Sequence, residues 1–437
     1  MQPISPLRGA LLTLLTASCA TDADRYSRAH VDAALQQRTS IGIGPGDGAL
    51  PPGVVFDDGI DEREAIALAL WHNATFQEAL AELGLRRADL VVAGELPNPT
   101  FWVLFPIDQK SLEFALRFPF DFLWTRPGRI KAAQFDCERV SALLVQGGLD
   151  LVRDVRSAFA DLRLARARLD LQLERAEVLA AVATFAGARL AAGDASEAET
   201  VAARVDARRA AAELANAERD ARVADDRVRL LAGDGVPASV RIEVAMAKST
   251  ESTDAAASVD SVVATAIAQR PDLRSTRYGI EWAGERAGLA AGELLTLTGI
   301  ADANNSGRAF EIGPGVDLRI PIFNQNQGAR SRAAAEIEQA VRRHRSVLDR
   351  VGFEVREAHA RLIAARSVAA AQAEMLAGLA TAEQQATAAY RNGDQPILLR
   401  HQATLQRLDG AQRAVEAAAE LQRAVASLDR SLGGRLP

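Results

Sequence analysis

The chain contains a pattern that occurs twice, about 200 residues apart. The tetrapeptide Ala-Gly-Glu-Leu stands at residues 93–96 and again at 291–294, and Gly193-Asp194 recurs as Gly393-Asp394. Residues 155–166 share their Val-Arg, Ala and Leu positions with residues 355–366. So constant an offset indicates a duplicated structural unit. We therefore expect repeat 1 at residues 61–247, a linker at 248–258 and repeat 2 at 259–437. Repeat 1 is expected to open with one helix from Asp61 towards Ala93, because its apolar residues recur three and four positions apart.

Composition favours long helices that pack through alanine over a bulky globular core, since 48% of the 437 residues are hydrophobic but only 5% are aromatic. The net charge of −6 and the lack of a basic patch argue against nucleic acid as a partner. No metal-ligand spacing, catalytic triad, phosphate-binding loop or cysteine cluster is present, so we expect no enzyme, cofactor or metal site. The five histidines are scattered: His30, His72, His344, His359 and His401.

The N-terminus predicts export. Arg8 precedes a short apolar run that ends near Ala17, which is typical of a signal peptide at residues 1–18. The following Cys19 stands where a bacterial lipoprotein is processed, although the leucine usual three places before the cysteine is missing. That similarity implies lipidation of Cys19; an ordinary cleaved signal with an incidental cysteine is the alternative. Residues 19–60 are rich in Gly and Pro and predict an extended arm. No later run of 18 apolar residues predicts a membrane-spanning helix.

Each repeat contains two segments that predict a β-hairpin. Strands are expected at about 96–105 and 111–120 in repeat 1, and at about 294–303 and 309–321 in repeat 2. Each is roughly 10 residues long, the length that a tilted strand needs to cross a bilayer. Apolar side chains alternate with charged ones, as in a barrel between lipid and water. A hairpin packed on a globular core alternates in the same way, so the strands alone leave both alternatives open.

A long helix follows each hairpin, at about residues 128–192 and 328–392. At 1.5 Å per residue each would be about 97 Å long. Apolar residues recur at every seventh position, which predicts coiled-coil packing; one such series is Val341, Leu348, Val355, Leu362, Ala369 and Leu376. Charged residues between them, such as Arg163 and Arg168, are expected on a solvated face. Each long helix stops at Gly-Asp and is followed by a returning helix.

Four strands per chain are too few to close a membrane barrel, since the smallest have about eight. Open strand edges in lipid would leave backbone groups without hydrogen bonds. If the strands cross a membrane, several chains must share them, and a three-fold ring would supply about 12 strands.

With this layout in view, the sequence resembles the bacterial outer membrane efflux proteins, or outer membrane factors (TolC-like), over roughly residues 60–434. The resemblance rests on the two repeats, on residues 93–99 (AGELPNP), on Arg319–Phe323 leading to Gly328, and on Tyr390-Arg391-Asn392-Gly393. It implies a mainly α homotrimer with a 12-stranded outer-membrane β-barrel on an α-helical periplasmic tunnel. Implied partners are a periplasmic adaptor (membrane fusion protein), an inner-membrane pump and outer-membrane lipid. The branch with proton-driven (RND) heavy-metal and drug pumps is the most similar.

The resemblance also implies where the functional residues lie. Charged strand residues are expected to line the barrel lumen, with ordinary solvent-facing charge as the alternative; they are Glu113, Arg117, Asp317 and Arg319. The turns after the long helices are expected to form the periplasmic tip and gate, with Gly193, Asp194, Tyr390, Gly393, Asp394, Leu399 and Gln402. Tyr390 matches a position in the ties that hold the family's closed state. The family's aspartate ring falls on Leu399 and Gln402 and is missing, which leaves Asp394 or an apolar constriction at Leu399.

We therefore expect an outer-membrane channel of a tripartite efflux system, which conducts metal cations or drugs and catalyses nothing. The alternative is a lipid-anchored periplasmic coiled-coil adaptor or scaffold without a pore. Such a protein would share the long helices and the lipid but does not need two hairpins with a polar face.

Overall fold

The computed structural model describes residues 23–44, 49–57, 59–105, 112–233, 236–237, 239–243, 258–305 and 310–434. The predicted signal peptide, Cys19 and all of the 248–258 linker except Ser258 lie outside the described residues. The protein is mainly helical with one small sheet, as expected from its composition.

The same order of elements, two helices, two strands and two helices, occurs twice along the chain. A short helix α1, Arg28–Thr39, comes first. The extended arm expected at residues 19–60 is wrong for this segment, because the Gly and Pro residues that indicated it begin only at Gly42. The first set is α2 (Glu62–His72), α3 (Ala74–Gly94), β1 (Thr100–Leu104), β2 (Glu113–Pro119), α4 (Phe122–Ala191) and α5 (Glu197–Ala232). The second set is α6 (Val259–Gln269), α7 (Pro271–Gly292), β3 (Thr296–Asn305), β4 (Phe310–Arg319), α8 (Gln327–Arg391) and α9 (Ile397–Ser431).

The single helix expected from Asp61 to Ala93 is in fact two helices, because Asn73 interrupts it. Asn73 has extended backbone angles (φ −63°, ψ 116°) and ends α2. Its side-chain oxygen accepts a hydrogen bond from the Phe76 amide at 3.1 Å and so caps the start of α3. In the second set the break falls at Arg270, directly before Pro271. A proline is well suited to the first position of a helix.

The long helices bury their seven-residue apolar series only in their middle parts. On α4, Val155 and Leu162 are fully buried, and on α8 Val355 and Leu362 are buried. Residues nearer the helix ends, such as Leu376, are half-buried. Among the described residues, one helix, α8, is long and apolar enough over an 18-residue window to cross a membrane, and 11% of that window is buried. The sequence predicts no such helix by the criterion of 18 consecutive apolar residues, whereas the α8 window is apolar only on average.

The first of two compact units comprises the residues up to Val31, Glu78–Val145 and Pro271–Asp349. It contains the whole sheet, in which the four antiparallel strands follow the order β1-β2-β3-β4. The strands are shorter than or shifted from the predicted ones by a few residues. Side chains at the sheet junction bind helix-end carbonyls: Trp124 Nε1 donates to Gly292 at 3.1 Å and Arg126 Nε to Gly94 at 2.8 Å. These contacts satisfy carbonyls that a helix end leaves without partners.

The second unit comprises Asp32–Gln77, Gln146–Arg270 and Arg350–Pro437. Its core is formed by apolar side chains of several helices, among them Leu68, Phe159, Leu408 and Leu428. An isolated parallel bridge joins Ile60 to Ile242. Arg270, whose side chain is completely buried, binds Glu354 at 2.6 Å.

Candidate functional site

The four predicted lumen residues lie on one face of the sheet. Cross-strand partners share a face, and the register aligns Arg117 with Ile300, Asp317 with Thr298, and Arg319 with Thr296. Glu113 lies four residues before Arg117 on β2 and therefore on the same side. Two acids that sequence reasoning missed join this polar face; they are Asp302 and Glu311. Alternation along β3 and β4 was the signal that could have indicated them.

The opposite face of the sheet is apolar and exposed. Phe101 stacks on Phe114 with ring centroids 6.0 Å apart. Val316 is 70% exposed and Ile312 is 78% exposed. The face is made by Phe101, Val103, Phe114, Leu116, Phe118, Leu297, Ala301, Ala303, Ile312, Val316 and Leu318. A patch of this kind on a protein surface marks contact with a membrane or with another chain.

Within the part of the chain that the structure describes, the outer edges of β1 and β4 pair with no strand. Each edge presents a row of backbone donors and acceptors that can pair with another strand. The sheet is therefore open on both sides, and β1 and β4 are the strands that a further chain would have to join.

The turns at the two predicted tips have the same hydrogen bonds. The Gly193 amide donates to Leu190 at 3.0 Å and the Asp194 amide to Arg189 at 2.8 Å. The Gly393 and Asp394 amides donate in the same way to Tyr390 and Ala389, at 3.0 and 2.9 Å. This pair of bonds is the Schellman motif, in which the glycine takes a positive φ. The φ values are +82° at Gly193 and +81° at Gly393, so the duplicated Gly-Asp pair is a helix stop.

Replacing Gly393 with alanine will destabilise the protein by about 1 to 2 kcal/mol, because a side chain at positive φ is strained. A Cβ there would meet no atom within 4 Å, so the whole effect comes from the backbone. Gly378→Ala on α8 is the matched control: its Cβ also meets nothing within 4 Å, and alanine in a helix is better than glycine by about 1 kcal/mol. Thermal unfolding followed by circular dichroism should shift in opposite directions for the two variants. Equal shifts would contradict the assigned turn.

The side chains at the second tip are mostly exposed. Asp394 and Gln402 are exposed, and Leu399 is 43% exposed. The Tyr390 ring lies 5.8 Å from the guanidinium carbon of Arg400 in the same helical hairpin. The neighbouring His401 is buried, and burial together with the charge of Arg400 lowers its pKa below the usual value. The lowered pKa favours the neutral form of His401 at pH 7.

Arginine-mediated contacts join α4 to α9 in the second unit. Arg156 binds Asp429 at 2.8 Å, Arg168 binds Glu416 at 2.7 Å, and Arg175 binds Asp409. The residue numbers of the arginines rise along α4 while those of their acidic partners fall along α9 by similar amounts. The two helices are therefore antiparallel. The end of α4 and the start of α9 therefore lie at the same end of this unit, which brings the turns at 193 and 393 to that end.

The solvated face predicted for the long helices is in part wrong. Arg163, 17% exposed at its side chain, donates to Gln422 at 3.0 Å and to Glu62 at 2.8 Å. Arg168 binds Glu416. Although burial raises the pKa of Glu416, hydrogen bonds from Arg168 and Gln412 lower it overall. Regularly spaced charged residues on a helix predict a solvated face. The sequence does not show that an arginine on α4 has a binding partner some 250 residues away on α9.

Among the described residues, no group of three or more His, Cys, Asp or Glu side chains is placed to hold a metal ion. Cys137 is buried, and burial with nearby acids raises its pKa to about 12. Its thiol is therefore not a nucleophile at neutral pH. The roles of individual lumen and gate residues stay predictions.

No family model matches the sequence. The chain is 25% identical over 283 residues to the cobalt-zinc-cadmium resistance protein CzcC of Cupriavidus metallidurans, and the match spans 63% of this chain and 66%, just under two thirds, of that protein. The CusC channel structure has a TM-score of 0.69 at 19% identity, covering 90% of this chain and 97% of CusC. The Campylobacter jejuni outer membrane channel CmeC has a TM-score of 0.71 at 15% identity, covering 89% and 91%. The fold expected from the resemblance is thus confirmed, and the chain has the fold of outer membrane channels such as CusC and CmeC.

Proposed function

We propose that this protein is the outer-membrane channel of a tripartite efflux system. The observation that carries the proposal is the open four-stranded sheet with one charged and one apolar face, both accessible. An apolar face of this kind is stable against lipid, and the charged face then borders water. The protein would reside in the outer membrane and project into the periplasm.

The open edges of the sheet argue for a homotrimer. In lipid every backbone polar group needs a partner, so only a closed barrel is stable. Three copies of the sheet would form a barrel of about 12 strands, which is within the range of membrane barrels. β4 of one subunit would pair with β1 of the next. The duplicated order of elements supports a pseudo-symmetric wall built from two equivalent halves.

The helices would form the periplasmic tunnel, with its tip at the Gly-Asp turns. These turns are the expected contact with a periplasmic adaptor, which joins the channel to an inner-membrane pump. Tyr390, Leu399 and Asp394 are the proposed gate residues. Their exposure is compatible with meeting the equivalent residues of neighbouring subunits around a constriction, where narrow apolar rings can exclude water.

The protein would conduct and would not catalyse. A water-filled pore lined by rings of charge selects solutes by their size and the sign of their charge. In a trimer, Asp317 and Arg319 would each occur three times around the lumen. Metal cations are the first substrate class that we propose, because the relative from Cupriavidus metallidurans is named for cobalt, zinc and cadmium resistance. Drugs are the second. Cys19 would carry the lipid that anchors the mature N-terminus.

A lipid-anchored adaptor or scaffold without a pore is the alternative, and the sheet argues against it. In a periplasmic protein without a pore, Val316 and Ile312 would be exposed to water on the face opposite the charged residues. Such exposure of large apolar side chains is unfavourable.

The test is to purify the full chain in a neutral detergent, determine its mass by light scattering, and reconstitute it in a planar bilayer. A particle of three chains that produces discrete conductance steps is the expected result. A monomer that is soluble without detergent and gives no conductance would favour the scaffold.

A further inference from the structure

A cavity of about 710 Å³ lies in the first unit, between four helices. Its walls come from the end of α3, the start of α4, the end of α7 and the start of α8. The space exists because facing positions carry alanine, among them Ala132, Ala133, Ala329 and Ala333. The volume is within the range of about 300 to 1,000 Å³ found for small-molecule sites.

Apolar side chains form one part of the cavity wall. Val92 and Leu289 line it together with the alanines. Trp282 also lines it, and the guanidinium carbon of Arg286 lies 4.9 Å from its ring centroid. This part of the wall suits an aliphatic chain or a ring, and it places a fluorescent side chain beside any occupant.

Two buried N–H donors in the cavity wall make no hydrogen bond to any described residue. In the described structure the Nε–H groups of Arg86 and Arg129 are buried and make no hydrogen bond. The other Arg86 nitrogens donate to Glu82 and Asp89, and its Nε lies 3.4 Å from Asp136 Oδ2. Arg129 Nη2 reaches the Glu95 carbonyl at 3.4 Å. Buried donors are almost always satisfied in proteins, so an acceptor in the cavity is expected.

The carboxylates around the cavity are largely paired. Asp136 binds Arg139 at 2.7 Å, and Glu336 binds Arg332 at 2.9 Å and Arg286 at 3.7 Å. Glu293, which is exposed, has no ion pair in the described ranges. Arg129 likewise makes no ion pair there, and it is the cation whose charge an occupant can neutralise.

We propose that this cavity binds an amphiphilic anion, an apolar chain or ring that carries a carboxylate, sulfate or phosphate head. The head accepts hydrogen bonds from Arg129 and the Arg86 Nε, and the apolar body lies against Val92, Leu289 and the alanines. The site is independent of conduction, so its occupancy can be measured without a working efflux system.

The experiment titrates decyl phosphate into the full chain in a neutral detergent and follows tryptophan fluorescence. We expect saturable binding that changes the Trp282 signal, and Trp282→Phe should remove that change. Arg129→Gln should weaken binding about tenfold or more, because a hydrogen bond to a charged group is lost. Arg277→Gln removes the same charge from an exposed position on α7 outside the cavity and should leave binding unchanged. Ala329→Phe should weaken binding, because the added ring occupies part of the cavity.

Two further probes test the chemical class. Inorganic phosphate, which has the head alone, and decyltrimethylammonium, which has the apolar chain with a cationic head, should each bind at least about tenfold more weakly than decyl phosphate. Equal binding of either probe would overturn the proposed class of ligand. Equal affinities of the Arg129→Gln and Arg277→Gln variants for decyl phosphate would overturn the proposed site.

Discussion

Replacing Val316 with arginine will prevent the protein from assembling in the outer membrane. Val316 lies on the apolar face of β4 and is 70% exposed. On the lipid face of a barrel, an arginine near the middle of the bilayer costs about 2 to 4 kcal/mol, and a trimer would bear this cost three times. We expect the Val316→Arg variant to be lost from the outer-membrane fraction and to give no conductance after reconstitution.

The next residue on the same strand is the matched control. Asp317 is at almost the same depth but on the charged face, since its partner on β3 is Thr298 whereas that of Val316 is Gly299. Asp317→Arg should reach the outer membrane in normal amount and shift ion selectivity towards anions, because it would replace negative charge on the proposed lumen face by positive charge. Val316→Ala tests for loss of the valine alone and should assemble. If Val316→Arg assembled as well as Asp317→Arg, the assignment of the two faces would be wrong.

Removing the carboxylate of Glu354 will destabilise the second unit by about 3 kcal/mol, since breaking a buried ion pair leaves a desolvated charge. Glu354 binds both Arg270 and Arg430 at 2.6 Å. The Arg270 side chain is completely buried. Although burial lowers the pKa of Arg430, contacts with Asp150 and Glu354 raise it overall, so Arg430 stays charged. Glu354 therefore neutralises two guanidinium groups, and Arg430 additionally contacts Asp150.

Thermal unfolding of the Glu354→Ala variant in detergent should show a midpoint lower by about 6 to 12 °C, at about 2 to 4 °C per kcal/mol for a unit of this size. The control is Glu357→Ala on the same helix, which breaks an exposed pair with Arg361 at 2.8 Å. An exposed pair of this kind contributes about 0.5 kcal/mol or less. Indistinguishable midpoints for the two variants would show that the buried network contributes little.

Local patterns in the sequence predicted the type of each main element correctly. Alternation placed Glu113 and Arg117 on one side of β2, and the seven-residue period and Gly-Asp pairs located the long helices and their stops. The break at Asn73 was missed because a capping asparagine in an apolar periodic segment resembles a helix surface residue. The strand ends were also displaced by a few residues, since β-propensity does not mark where pairing stops.

Tertiary structure alone decided which elements meet. Period-two alternation assigns faces within one strand, but only the pairing of β2 with β3 places Arg117 and Asp317 on the same side of one sheet. Likewise, only the packing of α4 on α9 shows that Arg163 is largely buried and donates to Gln422. The cavity beside Arg129 had no sequence signal at all, because it arises where short alanine side chains of four separate helices happen to face each other.

The sequence by itself determined the local conformations, the two faces of each strand and the duplicated order of elements. These depend on contacts between residues a few positions apart, which periodicity records. The open edges of the sheet, the arginine contacts between helices and the cavity were decided by the tertiary structure. They depend on partners about 100 to 300 residues apart, and no local pattern specifies such a partner.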